Sequence, residues 1–366
     1  MEVLFSNFLD ISWKQVVMWL IGGLLIFLAI KKNMEPSLLL PMGFGTILVN
    51  LPDVDAIGEN GVLRILFDSG IANELFPLLL FVGIGAMIDF GPLLSNPKLM
   101  IFGAAAQFGI FLTLVVARLL GFDIVDAAST AVIAAADGPT AIFVAMELGS
   151  RYLGAIIVAA YSYMALVPII QPPVIKLLTT KKERRIRMPY KAQNVSKTTR
   201  ILFPIFITLI AGLVAPKSAS LVGFLMFGNL IRECGVLDSL SETAQKVLAN
   251  LITIFLGITV AVQMTADDFL NWTTLAILAL GLFGFIFDTF GGVMVAKFMN
   301  LFLKEKINPM IGASGISAFP MSARVVHKMG LAEDNQNFLL MHTIGVNVSG
   351  QVASVIAGGL ILSFFG

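Results

Sequence analysis

Long apolar segments separated by short polar breaks are the feature that most constrains this chain. Some of them, such as Leu99–Leu120 and Thr274–Met299, reach the roughly 20 residues that a helix needs to cross a bilayer. Backbone amides in lipid find partners only within a helix or a closed barrel, and the alternating pattern of a barrel is absent. The residues AVILMFWYC make up 57% of the chain and the charged residues 13%, against roughly 25% charged in soluble domains. The sequence therefore predicts an all-α polytopic membrane protein.

Eight segments are predicted to span the membrane. They are Val16–Ile30, Phe76–Ile88 with an amphipathic lead-in from Gly61, Leu99–Leu120, Tyr152–Ile170, Ile201–Val214, Val247–Val262, Thr274–Met299 and Phe338–Phe364. The first is preceded by Glu2 and Asp10 and has no small-residue cleavage site after it, so we expect a retained helix and not a signal peptide. The location expected from these spans is the cell membrane.

Four shorter apolar pieces, broken by Gly and Pro, lie between the spans. They are Leu38–Val49, Ala127–Leu148, Leu221–Ile231 and Ile307–Pro320. Apolar pieces this short are typical of half-helices or re-entrant segments that are buried inside protein or beside a water-filled cavity.

Charge and cysteine content exclude several classes of function. With 24 Lys+Arg against 23 Asp+Glu, the net charge of +1 gives no basic excess for nucleic acid. Cys234 is the only cysteine, which excludes a disulfide framework, and two histidines, His327 and His342, argue against a His-based metal or haem centre. The sequence also contains neither a G-x-x-x-x-G-K-[ST] phosphate loop nor an H-E-x-x-H zinc motif.

A basic segment, residues 181–200, divides the chain near its middle. It holds eight of the 24 basic residues and a single acid, Glu183. Positive loops stay in the cytoplasm, so the segment predicts a cytoplasmic connection, and docking of a cytoplasmic partner is compatible with that. The predicted organisation is an N-terminal transmembrane helix (residues 1–34), a first repeat (35–180), the basic loop (181–200) and a second repeat (201–366).

The two halves carry weakly similar motifs. Phe81–Ile84 resembles Phe255–Ile258 at an offset of 174 residues, and Phe44-Gly45 matches Phe227-Gly228 at an offset of 183. Internal symmetry with interrupted segments at matching positions is typical of secondary transporters, whose sites lie at the membrane midplane. We therefore expect two structural repeats with broken helices. Their inversion is inferred from precedent, because residue identity alone cannot show it.

The first broken piece contains an acid in an apolar setting. Asp137 lies between two apolar runs, where a carboxylate is costly unless it faces a polar cavity. Gly138 and Pro139 are expected to end one half-helix and to start the next. The freed carbonyls beside Asp137 would suit a hard cation such as Na⁺. The alternative is that Asp137 only caps the N-terminus of a helix.

The second broken piece runs from Asn308 to Pro320 and is followed by Arg324. Adding 174 to position 137 gives 311, which lies inside this piece. Asn308 and Ser317 supply side-chain oxygens. Close helix packing explains Gly312 and Gly315 of this piece well, but it explains Asn308, Ser317 and Arg324 poorly. Arg324 could instead be an interfacial residue that extends its charge toward water.

Further polar residues lie in the neighbouring spans. Asn347 and Gln351 lie one turn apart in the last span, where hydrogen bonding between helices is the simpler explanation. Tyr163 could bring a hydroxyl to the same cavity or be an ordinary core or interfacial aromatic. Asp288 is another intramembrane acid, and the sequence assigns it no role.

Three motifs in this order and spacing resemble one family. Asp137–Thr140, the stretch from Asn308 to Arg324, and Asn347–Gln351 are similar to the integral-membrane β subunits of the sodium-pumping, biotin-dependent decarboxylases of oxaloacetate, methylmalonyl-CoA and glutaconyl-CoA. The resemblance covers essentially the whole chain from Glu35 onward. It implies that carboxybiotin is decarboxylated here while Na⁺ is exported and a proton is consumed. It also implies an elevator-like movement between a core and a scaffold.

The resemblance further implies partners and residue roles. The partners are a biotin carrier protein, a carboxyltransferase α subunit, a small membrane-anchored subunit of the γ or δ type, and further copies of this chain in a homo-oligomer. Carboxybiotin would be carried on a partner, because no Met-Lys-Met tripeptide for biotinylation occurs here. By resemblance, the catalytic residues are Tyr163, Arg324, Asp137 and Ser317, the carboxybiotin-binding residues are Arg324 and Gly312, and the Na⁺ ligands are Asp137, Asn308, Asn347 and Ser317.

Two other functions stay open from the sequence alone. A Na⁺-coupled secondary transporter or a Na⁺/H⁺ exchanger could use the same broken-helix plan without a biotin carrier. A passive membrane scaffold for an enzyme complex is the third interpretation. It does not explain why polar residues interrupt an apolar segment in each half of the chain.

Overall fold

The computed structural model describes residues 11–33, 36–189 and 195–366. Within these ranges every regular element is helical. Glu2, Asp10, Glu35 and Lys191, which the sequence analysis used, lie outside the described residues, as do the first ten residues of the predicted N-terminal segment.

The part of the chain before the basic segment contains ten described α-helices. They are α1 (Trp13–Lys32), α2 (Pro36–Val49), α3 (Val62–Leu66), α4 (Leu75–Met87), α5 (Gly91–Ser95), α6 (Met100–Ala106), α7 (Phe108–Leu119), α8 (Ile124–Ala131), α9 (Gly138–Glu147) and α10 (Leu153–Leu178). A π-helical turn, Phe67–Ile71, follows α3, and a short 3₁₀ helix, Val132–Ala135, leads from α8 toward α9.

The basic segment and the second half contain nine more described helices. They are α11 (Lys181–Arg184), α12 (Lys197–Val214), α13 (Ala219–Glu233), α14 (Asp238–Glu242), α15 (Ala249–Val260), α16 (Ala266–Phe269), α17 (Trp272–Phe302), α18 (Met321–Glu333) and α19 (Leu340–Phe365). A π-helical turn, Thr243–Leu248, joins α14 to α15, and a 3₁₀ helix, Pro309–Gly315, stands between α17 and α18.

The helices account for the predicted spans. Seven described helices are long and apolar enough to cross a membrane, and an eighth span results if Asp55–Ile71 and Leu75–Met87, which meet at 63°, count together. That bent pair corresponds to the predicted span Phe76–Ile88 with its amphipathic lead-in. The all-helical membrane class is confirmed, and the chain is a multi-pass membrane protein.

The two halves pack against each other through their matching motifs. A Cβ on Gly45, in α2, would lie 2.9 Å from the carbonyl oxygen of Ile258, in α15. A Cβ on Gly228, in α13, would overlap the carbonyl oxygen of Val82, in α4. The Phe-Gly helix of each half therefore lies on the Phe-x-Gly-Ile helix of the other half, at a separation that only glycine allows.

A stripe of small residues on α17 brings the two broken segments together. A Cβ on Gly281 would lie 2.6 Å from a side-chain carbon of Ile133, and one on Gly284 would lie 2.5 Å from Cβ of Ala134. Two turns further along, Gly292 meets the backbone of Gly312 so closely that a Cβ on either would overlap the other. Both interruptions therefore lie against one helix.

The basic segment is held to the end of α18. Arg184 forms an ion pair of 2.6 Å with Glu333, and Arg187 forms one of 2.6 Å with Asp334. Lys297, near the end of α17, pairs with Glu183 at 3.2 Å. The segment that the sequence predicts to be cytoplasmic is therefore fixed to the ends of α17 and α18.

Candidate functional site

Asp137 lies at the first interruption, between the 3₁₀ helix Val132–Ala135 and α9. Ala136 turns the chain there in the left-handed conformation, with φ 51°. Asp137 then caps α9, since its Oδ1 accepts the backbone N–H of Thr140 at 3.3 Å, and Pro139 occupies the first turn. The capping role considered from the sequence is therefore present, but it accounts for only one of the contacts of this carboxylate.

Four side chains converge on the other carboxylate oxygen. Oδ2 of Asp137 accepts hydrogen bonds from the hydroxyls of Thr140 (2.8 Å), Ser317 (2.9 Å) and Ser354 (2.8 Å), and from the amide of Gln351 (3.2 Å). The residue is 3% exposed. No ion pair to Asp137 occurs within the described residues, so hydrogen-bond donors surround this carboxyl group and no basic side chain faces it.

The second interruption meets the first one directly. After the 3₁₀ helix Pro309–Gly315 the chain becomes extended, and the backbone N–H of Ser317 donates to the carbonyl oxygen of Ala135 at 3.0 Å. Asn347, in α19, donates from Nδ2 to the carbonyl oxygen of Ile316 at 2.7 Å. The side-chain oxygen of Asn347 is buried without a hydrogen-bond partner. Both breaks and α19 therefore enclose one oxygen-rich centre, which we call the Asp137 centre (Asp137, Thr140, Ser317, Asn347, Gln351 and Ser354).

Asn308 has different contacts. Its side-chain oxygen accepts the N–H of Met310 at 3.1 Å, and its Nδ2 donates to the carbonyl oxygens of Arg184 (2.9 Å) and Ile186 (3.0 Å). The structure therefore places Asn308 between the second broken segment and the basic segment. It shows no direct contact between Asn308 and Asp137.

The α10 tyrosines are arranged differently from what the sequence led us to expect. The hydroxyl of Tyr163 donates to the carbonyl oxygen of Leu278, in α17. Tyr161 instead packs its ring against Gly138, beside Asp137, and its hydroxyl is buried without a partner. The sequence analysis did not single out Tyr161, and its position two residues before Tyr163 was the available signal.

Ser354 and Thr140 are also centre residues that sequence reasoning missed. Ser354 lies seven residues after Asn347, two turns along the same face of α19, so helical periodicity could have indicated it. Thr140 lies three residues after the capping Asp, where N-cap geometry brings its hydroxyl back.

Arg324 opens onto a separate cavity of about 620 Å³. The cavity is lined by the cationic side chains of Lys176, Arg324 and Lys328, with Asn33 and Pro168 among its other walls. Arg324 is exposed, and its guanidinium makes no hydrogen bond or ion pair with any described residue. Since the ion-paired Glu333 also borders this cavity, it opens on the side of the basic segment.

The donor set of the centre favours a hard monovalent cation. Among the described residues no group of three or more His, Cys, Asp or Glu side chains could hold a metal ion. One carboxylate with hydroxyl, amide and carbonyl oxygens is instead the kind of set that membrane proteins use for Na⁺.

The fold and the centre define a class: a polytopic α-helical membrane protein whose paired interrupted helices meet at a buried carboxylate, as in ion-coupled membrane transporters. A model of the family described as Na⁺-transporting oxaloacetate decarboxylase beta subunit matches residues 14–365. The chain belongs to this family, and the resemblance inferred from the three motifs is confirmed.

Several known proteins are similar to the chain over nearly its whole length. Methylmalonyl-CoA decarboxylase subunit beta of Propionigenium modestum is 47% identical, with 99% of this chain and 97% of that protein covered. Glutaconyl-CoA decarboxylase subunit beta of Acidaminococcus fermentans is 46% identical, with 99% and 96% covered. Oxaloacetate decarboxylase beta chain of Klebsiella pneumoniae is 44% identical, with 96% and 95% covered. Relatives with three different substrates in their names are thus almost equally similar.

Proposed function

We propose that this chain decarboxylates carboxybiotin presented by a biotin carrier subunit and couples that reaction to Na⁺ export, with uptake of a proton. The observation that carries the proposal is the carboxylate of Asp137. It is buried where the two interrupted segments cross, receives four side-chain donors on one oxygen, and pairs with no basic group within the described residues. A buried carboxylate that is surrounded by dipoles but has no counter-charge is costly, and a bound cation would offset that cost.

The proposed Na⁺ ligands are Asp137, Ser317 and Asn347. The Oδ1 atom of Asp137 accepts only one long bond from the backbone of Thr140, and Oδ1 of Asn347 accepts none, so both are available to a cation. Asn308, predicted from the resemblance as a further ligand, stays a proposal. Its contacts with the basic segment support a role in holding the second broken segment in place.

The hydroxyls of Ser317 and Ser354 are suited to a reversible site. A carboxylate oxygen has two lone pairs, yet Oδ2 of Asp137 receives four donors. A hydroxyl can rotate its hydrogen away and turn a lone pair to a cation without moving its oxygen. Bound Na⁺ would therefore replace some of these hydrogen bonds at little structural cost.

Carboxybiotin is proposed to enter the cavity of Arg324, Lys176 and Lys328. Its carboxylate would be attracted by the free guanidinium of Arg324, which can form two parallel hydrogen bonds with it. Arg324 follows Ser317 by seven residues, so a ligand on Arg324 acts on the segment that also carries a proposed Na⁺ ligand. Gly312, predicted from the resemblance as a further carboxybiotin-binding residue, stays a proposal. Its backbone packs against that of Gly292, in α17.

The reaction breaks the bond between the ureido nitrogen of biotin and its carboxylate carbon. CO₂ leaves, the electron pair stays on nitrogen, and a proton from the medium completes the N–H group. Removing water from the carboxylate favours this step, and the part-enclosed cavity supports such desolvation. Tyr163 is the proposed proton relay. Ser317 and Asp137 are the other residues that we propose take part in the reaction.

Coupling requires that carboxybiotin and Na⁺ prefer the same conformation, since a ligand shifts an equilibrium only through differential affinity. The crossed packing of matching helices from the two halves supports a scaffold built of inverted repeats. The centre, formed by both breaks and α19, would then move relative to that scaffold in an elevator-like way.

The partners follow from the same proposal. A biotin carrier protein and a carboxyltransferase α subunit would supply carboxybiotin from the cytoplasmic side, where the basic segment and the Arg324 cavity lie. A small membrane-anchored subunit of the γ or δ type and further copies of this chain would complete the complex. The names of the relatives, which are all decarboxylase subunits, favour this function over a stand-alone Na⁺ transporter or Na⁺/H⁺ exchanger.

The test uses the purified chain in proteoliposomes with carboxybiotin as substrate. We expect CO₂ release that Na⁺ stimulates, together with uptake of ²²Na⁺ into vesicles whose cytoplasmic face is outward. Na⁺ movement without any requirement for carboxybiotin would contradict the proposal and favour the transporter alternative.

A further inference from the structure

Gln171, in α10, is a buried polar side chain to which the proposed reaction gives no role. Its exposed fraction is 0%, and its Nε2 donates hydrogen bonds to the carbonyl oxygen of Ala313 at 2.6 Å and to the hydroxyl of Ser322 at 2.9 Å. The hydroxyl of Ser322, which is equally buried, has two acceptors at 3.1 Å, the carbonyl oxygen of Ala313 and Oε1 of Gln171. We call this network the Gln171 clamp (Gln171, Ala313 and Ser322).

The clamp closes the loop that carries Ser317. Ala313 lies in the 3₁₀ helix before the loop, and Ser322 lies in the first turn of α18 after it. The hydrogen bonds of the clamp therefore join two residues that are nine positions apart in the chain. Between them, the hydroxyl of Ser317 donates to Asp137. Because a short loop with fixed ends has few conformations, the place of Ser317 at the Asp137 centre depends on how Gln171 holds those ends.

The same stretch of α10 borders the Arg324 cavity. Pro168 and Pro172 line that cavity on one helical face, and Gln171 directly precedes Pro172. Prolines inside a helix have no N–H to donate, so α10 lacks hydrogen bonds on both sides of Gln171 and deforms more easily there. Arg324 itself follows Ser322 by two residues. A ligand in this cavity therefore lies against the helix that carries the clamp and beside the end of the loop that the clamp holds.

We propose that Gln171 is a positioning residue that couples the occupancy of the Arg324 cavity to the Na⁺ ligand Ser317. This inference rests on the proposed function, and it names the contact through which the two sites act on each other. The single hydrogen of the Ser322 hydroxyl can go to either of its two acceptors, so the clamp has two hydrogen-bonded arrangements. Carboxybiotin and Na⁺ would favour the same arrangement, which is the condition for coupling.

Two ratios measured on proteoliposomes test the coupling. They are the number of ²²Na⁺ ions transported per CO₂ released and the factor by which Na⁺ stimulates CO₂ release. Misfolded molecules contribute to neither activity, so a variant that only folds poorly leaves both ratios unchanged. Gln171→Met keeps the length of the side chain and removes the donors, and it is expected to lower both ratios by roughly fivefold, because decarboxylation then depends less on Na⁺.

Gln107→Met is the matched control for this variant. Gln107 is also a buried glutamine, but among the described residues its side chain donates only to the carbonyl oxygen of Gly103, one turn before it. Equilibrium binding of ²²Na⁺ without biotin should be the same in Gln171→Met as in the native chain, since Gln171 is not a proposed ligand. Loss of that binding would show that Gln171 only supports the ion site, and it would overturn the inference.

A milder variant keeps the test decisive if Gln171→Met does not fold. Ser322→Ala removes one hydroxyl and leaves the bond between Gln171 and Ala313, so both ratios are expected to fall by roughly twofold. Ser314→Ala is its matched control, because Ser314 is a buried hydroxyl of the same broken segment with no hydrogen-bond partner among the described residues.

The possible failures are distinguishable. Native ratios in Gln171→Met, or equal ratios in Ser322→Ala and Ser314→Ala, would refute the coupling role and leave the proposed function intact. A native chain without Na⁺-stimulated CO₂ release would contradict the proposed function and, with it, this inference.

Discussion

The hydroxyl of Ser354 donates a hydrogen bond of 2.8 Å to the carboxylate of Asp137, although 217 residues separate the two in the chain. The same hydroxyl lies 2.9 Å from that of Ser317. One side chain of the last helix therefore connects both interrupted segments. This makes Ser354 a residue of the centre that can be tested independently of the family motifs.

Ser354→Ala is expected to raise the Na⁺ concentration for half-maximal decarboxylation by roughly fivefold, which corresponds to about 1 kcal/mol for one hydrogen bond or ligand. The measurement is Na⁺-dependent CO₂ release at saturating carboxybiotin. Ser363→Ala is the matched control, since Ser363 lies in the same helix but bonds only to the carbonyl oxygen of Gly359. A half-maximal concentration equal to that of the control would remove Ser354 from the centre.

Asp137→Asn is expected to abolish Na⁺ uptake and decarboxylation together. The amide keeps the size of the side chain but removes the charge that the proposed cation needs. Both activities are measured on the same proteoliposomes, with Asp68→Asn as control because the side chain of Asp68 is 53% exposed in a surface pair with Arg64. Full pumping by Asp137→Asn would disprove the assignment.

Arg324→Gln is expected to raise KM for carboxybiotin by roughly tenfold or more, since a charge-assisted bond to a carboxylate is worth about 1.5–3 kcal/mol. Binding of ²²Na⁺ in the absence of biotin should stay as in the native chain. Lys98→Gln, at an exposed position away from the cavity, serves as the control. Loss of Na⁺ binding in Arg324→Gln would mean that the arginine supports the fold and not the substrate.

Gly292→Ala is expected to lower the melting temperature of the purified protein, because its Cβ would overlap the backbone of Gly312 and neither helix can yield without moving the second break. Overpacking of this kind costs about 1–3 kcal/mol. Gly23→Ala is the control, since a Cβ there would meet nothing within 4 Å. A stable Gly292→Ala protein would show that α17 and the second break separate easily.

The anchoring of the basic segment should weaken in acid. The hydrogen bond from Arg184 lowers the pKa of Glu333, and that from Arg187 lowers the pKa of Asp334. A carboxyl group whose pKa is lower in the folded state than in the unfolded state stabilises the folded state at every pH above its unfolded-state pKa, which is roughly 4.3 for Glu and 3.9 for Asp. That stabilisation is lost as the pH falls through the lower, folded-state pKa. The anchoring is therefore expected to be constant at neutral pH and to fail only below about pH 4.

A spin label on Lys182→Cys, in a Cys234→Ser background, reports this change as increased mobility. The same label in a chain that also carries Glu333→Gln and Asp334→Asn should be mobile already at neutral pH. Mobility that rises near neutral pH in the native pairs would show that other groups hold the segment.

The sequence by itself determined the class of the protein and the position of its breaks. Whether a segment crosses a membrane depends on its own length and polarity, because lipid offers the backbone no partners. The predicted spans and the interruptions at Asp137 and Asn308–Pro320 therefore agree with the helices, and the three motifs were sufficient to indicate the family.

Only the tertiary structure decided which side chains meet. Ser354 and Gln351 reach Asp137, while the amide of Asn308 turns to the basic segment and the hydroxyl of Tyr163 turns to Leu278. Which side chains contact each other depends on how closely the helices approach at their glycines and on the direction in which each side chain points. Neither of these can be read from the residues that neighbour a given position in the sequence.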